Sequence, residues 1–175
     1  SQFISQADYK LETISYELNL AAAKLAREAA DEYTQKTPGK PRFVAGSLGP
    51  TTKLLSMSPD VNNPGFRASS FVEMVQAFEE QIRGLADGGV DALLIETITD
   101  TLNCKAAIFA VHEFSRKTGK RIPIMLSGTI VDQSGRTLSG QTTEAFWISI
   151  AHTHDLLSVG LNCALGSAQM RPFIQ

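Results

Sequence analysis

The residues that could do chemistry fall in four short stretches, and the most informative is Val159-Gly160-Leu161-Asn162-Cys163-Ala164-Leu165-Gly166. An apolar run reads as a short buried strand, stops at Asn162-Cys163, and turns through small residues into a helix. That places a thiol at the C-terminal mouth of a strand, where α/β proteins keep their chemistry. A thiolate there is a nucleophile or a soft-metal ligand; the competing reading is a small buried hydrophobe. The other stretches are Gly46-Ser47-Leu48-Gly49-Pro50-Thr51, Glu96-Thr97 and Ser127-Gly128-Thr129. Each also follows an apolar run. Together they offer one carboxylate, several hydroxyls, backbone N–H groups at glycines and one thiol. Such a set suits a small zwitterion with a soft atom. The Glu96 carboxylate would take an ammonium group, N–H groups would take a carboxylate, and Cys163 would lie near a sulfur or a metal. A capping or salt-bridged Glu96, and turn chemistry for Gly46 and Gly49, stay open at this level.

Gly46-x-x-Gly49-Pro50-Thr51-Thr52-Lys53 is not a phosphate loop. The glycine needed before the lysine is Thr52, and Pro50 removes a backbone donor. His112 falls within a helix. His152 and His154 precede the fourth strand, on the face of a barrel that serves stability. Cys104 lies one turn after Asp100 on a helix and reads as a packing residue.

Positioning the four stretches needs alternating strands and helices. Residues 8–36 carry Ile14, Leu18, Ala22, Leu25 and Ala29 at three- and four-residue steps, which predicts one helix with that stripe buried. Pro38 and Pro41 end it, and residues 42–46 read as a strand. The loop over 47–69 is rich in Gly, Pro, Ser and Asn, and loops of that length in compact domains are functional or disordered. Ser70-x-x-Glu73 is a capping box. It opens a helix with a stripe of Val75, Phe78, Ile82 and Leu85, which Gly88-Gly89 closes. Residues 91–96 form a continuous apolar strand of the kind covered on both faces. Asp100 caps a helix running to Lys117 and stopping at Gly119. A strand follows over 122–127, then a polar loop over 128–141. Thr142 caps a short helix, residues 156–161 form the fourth strand, and Ser167 begins a last helix.

Strand–helix repeats predict parallel strands with helical crossovers. The polar and glycine-rich residues all follow strands, as in a (β/α)8 TIM barrel, whose site is built from those loops. A full barrel takes eight strands and about 250 residues. Residues 1–175 therefore read as a central part of about four β/α units, one partial barrel domain truncated at both ends. A four-stranded flavodoxin-like domain is the alternative.

Composition narrows the function. The chain has 175 residues, is 43% hydrophobic and 19% charged, and has a net charge of −2, as soluble globular domains do. There is no basic stripe, so nothing points to nucleic acid. No apolar run nears the roughly 20 residues of a membrane span, and the first residues lack a signal peptide's basic and apolar regions. Two cysteines make no disulfide framework and fit a reducing, cytoplasmic setting.

Five blocks carry a closer likeness: residues 44–51; Leu94-Ile95-Glu96-Thr97 with Asp100-Thr101-Leu102-Asn103; Ser127-Gly128-Thr129-Ile130; Ser134-Gly135-Arg136-Thr137-Leu138-Ser139-Gly140-Gln141-Thr142; and Gly160 to Gly166. Over essentially the whole chain these resemble the homocysteine S-methyltransferase family, in particular the homocysteine-binding domain of cobalamin-dependent methionine synthases. Betaine–homocysteine methyltransferase is a more distant likeness. The resemblance implies a barrel with a catalytic zinc held by three cysteine thiolates. Cys163 matches the first ligand; the other two are an adjacent Cys-Cys pair, which this sequence lacks. Glu96 matches the carboxylate that engages the amino group of homocysteine. Gly46, Ser47, Thr129 and Asn162 fall where the amino-acid pocket is lined. Implied partners are homocysteine and separate cobalamin-binding and methyltetrahydrofolate-binding modules. A cobalamin-independent methyltransferase using betaine or S-methylmethionine, or a metal-free amino-acid-binding module, are the alternatives.

Overall fold

In the computed structural model, which describes residues 1–174, the chain runs α1 (Phe3–Gln6), two 3-10 turns, α2 (Ser15–Lys36), β1 (Ala45–Leu48), α3 (Phe71–Asp87), β2 (Ala92–Ile98), α4 (Thr101–Thr118), β3 (Ile124–Thr129), α5 (Thr143–Ile150), β4 (Leu156–Asn162) and α6 (Ser167–Ile174). Local chemistry sets the helix ends. Ser70 Oγ accepts from the Glu73 N–H, and the Glu73 carboxylate accepts from the Ser70 N–H at 2.8 Å, a closed capping box on α3. Asp100 and Thr142 cap α4 and α5 through the N–H groups of Leu102 and Ala145. Gly119, at φ +73°, terminates α4.

The four strands form one parallel sheet in the order β1-β2-β3-β4. A flavodoxin-like sheet would shuffle that order. Sequential parallel strands with right-handed helical crossovers are instead the arrangement of part of a (β/α)8 barrel. Alternation along the strands separates two faces. Leu48, Leu93, Ile95, Ile124 and Leu126 point into the core and are buried with Met74, Ile82, Ala106, Ala110 and Phe146 from the helices. Ala45, Ser47, Leu94, Glu96, Met125 and Ser127 line the other face. That face is open. Leu94 and Met125 are only half-buried, so β2 is covered on one side and not on both as its apolar run predicts.

Three boundaries move from their sequence-based positions. β1 covers Ala45–Leu48 rather than 42–46, because the Val44 N–H is taken by the Asp91 carboxylate at 2.7 Å and the ladder with β2 starts at Ala45. β3 runs Ile124–Thr129 rather than 122–127, and β4 extends to Asn162. Ser47, Thr129 and Asn162 thus sit inside strands, not in the loops after them. The helix expected over 8–36 is broken: Lys10 adopts φ +59° between the two 3-10 turns, and α2 begins at Ser15.

The buried side of α2 also differs. Leu18 and Leu25 are 42% and 67% exposed, whereas Ser15, Asn19, Ala23 and Ala30 are buried. Small groups win there because α2 seats closely on α3 and its C-cap, at positions held by glycine. A Cβ on Gly84 would lie 2.7 Å from the Tyr16 carbonyl oxygen, and one on Gly88 would lie 2.4 Å from Ala23 Cβ. Gly88→Ala is therefore expected to cost about 1–3 kcal/mol of stability, as overpacked cores do. Gly39→Ala, with nothing within 4 Å of its added methyl, is the control. Urea midpoints of the two variants measure the difference, and equal midpoints would contradict the close seat.

Candidate functional site

Two residue pairs form at the C-terminal end of the open face. On β1, Ser47 Oγ donates to a carboxylate oxygen of Glu96 on β2. Gln81 of α3, 1% exposed, donates from Nε2 to the Ser47 carbonyl at 3.0 Å and holds this strand end from behind. On β3 and β4, Thr129 and Asn162 are register partners, and the Thr129 hydroxyl donates to Asn162 Oδ1 at 2.7 Å. Asn162 Nδ2 in turn donates to Thr97 Oγ1 at 3.0 Å, which links the second pair to the residue after Glu96.

The backbone is irregular where the reactive groups sit. The β2–β3 register shifts between Ile95 and Ile98, a bulge that contains Glu96 and Thr97. Bulges re-aim side chains next to active sites. Thr97, Cys163 and Ala164 have φ of +55°, +62° and +50°. The Cys163 side chain is exposed just beyond β4. Ser47, Glu96, Thr129, Asn162 and Cys163 therefore converge on one end of the sheet. Gly46 takes no side-chain part: a Cβ there would point at Leu85 and Val90 on the helix side, 3.1 Å from each.

Sequence reasoning missed the clamp beside this site. The β1–α3 loop is held by two side chains of the first turn of α4. Asp100, 1% exposed, accepts from the Ser56 N–H and hydroxyl at 2.8 and 2.7 Å while also capping α4. Asn103 accepts from the Leu55 N–H at 2.9 Å and donates to Thr51 Oγ1 and the Lys53 carbonyl. Arg67 adds hydrogen bonds to the Leu55 and Ser56 carbonyls. The clamped loop brings Pro50, Thr51 and Leu54 beside Glu96 and Thr97 around a small cavity of about 20 Å³, walled on its other side by the core residues Leu48, Phe78 and Ile95. An Asp and an Asn three residues apart, more polar groups than one cap needs, were the available signal.

The two thiols differ in kind. Cys104 is buried, and burial pushes its thiol up to about 12; Cys163 is exposed. In native protein at pH 8 one thiol should react quickly with a disulfide reagent such as DTNB, and both should react in denaturant. Cys104 would then be thiolate in only about one molecule in ten thousand, so two fast native thiols would contradict its burial. Among the described residues, no three His, Cys, Asp or Glu side chains gather to hold a metal. A catalytic zinc takes three protein ligands. Cys163 and the Glu96 carboxylate are the only candidates these residues bring to the mouth, so they do not by themselves fit a complete zinc site. No helix among them is long and apolar enough to cross a membrane.

Crystal structures of the homocysteine methyltransferase MmuM from Escherichia coli share the fold. The metallated form matches with a TM-score of 0.69 at 23% identity, over 93% of this chain and 54% of that one. For the oxidized form the values are 0.68 and 23%, over 93% and 53%. For the apo form they are 0.65 and 23%, over 87% and 51%. This chain thus spans about half the length of the structures it matches. The sequence pattern of the family described as homocysteine S-methyltransferase matches residues 1–175 without interruption. By that match over its whole length, the chain belongs to the homocysteine S-methyltransferase family.

Proposed function

We propose that this chain forms the amino-acid-binding part of a barrel that methylates homocysteine to methionine, within one homocysteine-binding domain. The observation that carries the reading is the convergence of Ser47–Glu96 and Thr129–Asn162–Cys163 on one strand-end face in a chain of this family. Glu96 pairs with the ammonium group of homocysteine, and Ser47 orients the carboxylate by donating to it. Strand-end N–H groups face the substrate carboxylate. The sulfur end extends toward Cys163. The reacting thiol gives up its proton to solvent, its sulfur pair forms a bond to the methyl carbon, and the bond from that carbon to the donor breaks with its electron pair staying on the donor.

Cys163 is proposed as one thiolate ligand of zinc, whose chemistry when bound is to keep the substrate sulfur deprotonated at neutral pH. The proposed donor is methylcobalamin carried on another module, with a methyltetrahydrofolate module to recharge it. The Gly135-to-Thr142 stretch supports that donor by its likeness to cobalamin-dependent methionine synthases. In the structure this stretch is a closed loop, pinned to α4 by the Thr101 hydroxyl on Gln141 Oε1 at 2.5 Å. The setting is proposed to be cytoplasmic.

Calorimetric titration with L-homocysteine, L-homoserine and L-methionine tests the reading. Homocysteine is expected to bind, and binding by none of them would overturn the amino-acid site. Zinc is a separate measurement. After exposure to zinc and dialysis into metal-free buffer, the 175-residue chain should retain well below one equivalent. One equivalent held tightly would show that donors other than Cys163 complete the site.

A further inference from the structure

Thr97 and Cys163 each follow a residue placed at the site, and both adopt backbone conformations that side chains resist. The left-handed region is uncommon for any residue with a Cβ and a genuine outlier for a β-branched one. Thr97 is β-branched and sits there at φ +55°, inside the bulge that carries Glu96. Cys163 sits there at +62°, directly after Asn162. Outliers of this kind persist where surrounding structure over-determines them.

The over-determining group here is one amide. Asn162 Oδ1 accepts the Thr129 hydroxyl at 2.7 Å, and Nδ2 donates to the Thr97 hydroxyl at 3.0 Å. Thr129 is the register partner of Asn162 on the adjacent strand, whereas Thr97 belongs to β2, one strand further. The side chain therefore reaches across β3 and ties the strand end carrying Glu96 to the one carrying Cys163. Both ends of its amide are engaged on threonine hydroxyls, and each end keeps one further hydrogen-bonding position for a ligand.

We infer that Asn162 is a positioning residue, whose amide holds Thr97 in the left-handed region and thereby sets the separation between Glu96 and Cys163. This rests on the proposed reading of the mouth as an amino-acid thiol site. A fixed separation between the ammonium partner and the sulfur end selects ligands by length, so homocysteine is preferred over cysteine, which is one methylene shorter. Releasing the brace should erode that preference as well as the affinity.

The test uses the 175-residue chain and two readouts. The first is the Cα and Cβ chemical shifts of Thr97 by NMR. Taken relative to the random-coil value of the residue present, they should report left-handed backbone in wild type and move toward extended values in Asn162→Ala and in Thr97→Val, which puts a methyl group in place of the hydroxyl. The second is the ratio of homocysteine to cysteine affinity. It should fall at least tenfold in Asn162→Ala and recover in the double variant Asn162→Ala with Thr97→Gly, because glycine holds positive φ without a brace. Should Asn162→Ala fail to fold, Thr97→Val carries both readouts. Left-handed shifts retained by Thr97 in the variants would overturn the inference. So would an unchanged affinity ratio, whatever the loss of melting temperature. If wild type binds neither amino acid, the site reading fails, while the Thr97 shifts still decide the brace.

Discussion

Replacing Glu96 with glutamine is expected to weaken homocysteine binding by roughly 30- to 150-fold with little change in melting temperature. Removing one partner of a desolvated, hydrogen-bonded charge pair costs about 2 to 5 kcal/mol. Glu96 is half-buried on an open face, so the lower part of that range applies, about 2 to 3 kcal/mol at about 1.4 kcal/mol per tenfold. Glutamine keeps the shape and an oxygen that can still accept from Ser47 Oγ, the one side-chain partner Glu96 has among the described residues. The loss should therefore fall on the ligand's ammonium group. Mercaptobutanoate, which is homocysteine without its amine, isolates that term. Its affinity should be weak for wild type and nearly the same for the variant. Equal losses for both ligands would mean that Glu96 shapes the cleft without meeting the amine. Unchanged homocysteine affinity would remove Glu96 from the site. The Thr97 brace makes a separate claim: Glu96→Gln should leave the Thr97 shifts left-handed, because the amide of Asn162 does not touch residue 96.

What could be read from the sequence was local or periodic. Caps at Ser70, Asp100 and Thr142 are decided within three residues, and strand order follows from short crossovers and their handedness. The four strand ends were legible as a set because polar residues cluster after apolar runs. What escaped depended on partners far along the chain. The stripe Ile14–Leu18–Leu25 is a sound helical period, but the face that packs is chosen by Gly84 of α3 and Gly88 at its C-cap, more than fifty residues away. The start of β1 is decided by Asp91, which takes the Val44 N–H. The left-handed turn at Thr97 runs against its own propensity, and the bond inferred to hold it comes from Asn162, sixty-five positions on. Local rules broken without local compensation are where functional geometry is expected. Here Thr97 and Cys163 lie at the strand ends proposed to hold the ligand, whereas Lys10 and Asp155, also left-handed, lie elsewhere.

Asp100→Ala is expected to lower the melting temperature by about 10 °C and to loosen the β1–α3 loop. The side chain is 1% exposed and accepts from the Leu102 N–H, the Ser56 N–H and the Ser56 hydroxyl. Loss of an N-cap alone costs about 1 kcal/mol, and each hydrogen bond to a charged group is worth about 1.5–3 kcal/mol. These terms share one carboxylate and do not add fully, so about 3 to 4 kcal/mol is expected. A chain of this size loses about 2–4 °C per kcal/mol. Ser56→Ala removes one of the three bonds and leaves the cap, so it should cost about 1 kcal/mol. The difference between the two variants separates helix capping from clamping. Limited proteolysis over 57–68 supplies the second measurement. Cleavage there should accelerate strongly in Asp100→Ala, which leaves the loop to Asn103 and Arg67, and modestly in Ser56→Ala, which keeps the backbone bond to Asp100. Homocysteine affinity should fall with it, since the seated loop holds Pro50 and Thr51 beside Glu96 and Thr97 at the end of β1. A drop in stability with unchanged cleavage and affinity would make Asp100 a helix cap alone. The loop would then owe its place to Asn103, whose amide spans Thr51, Lys53 and Leu55 at once.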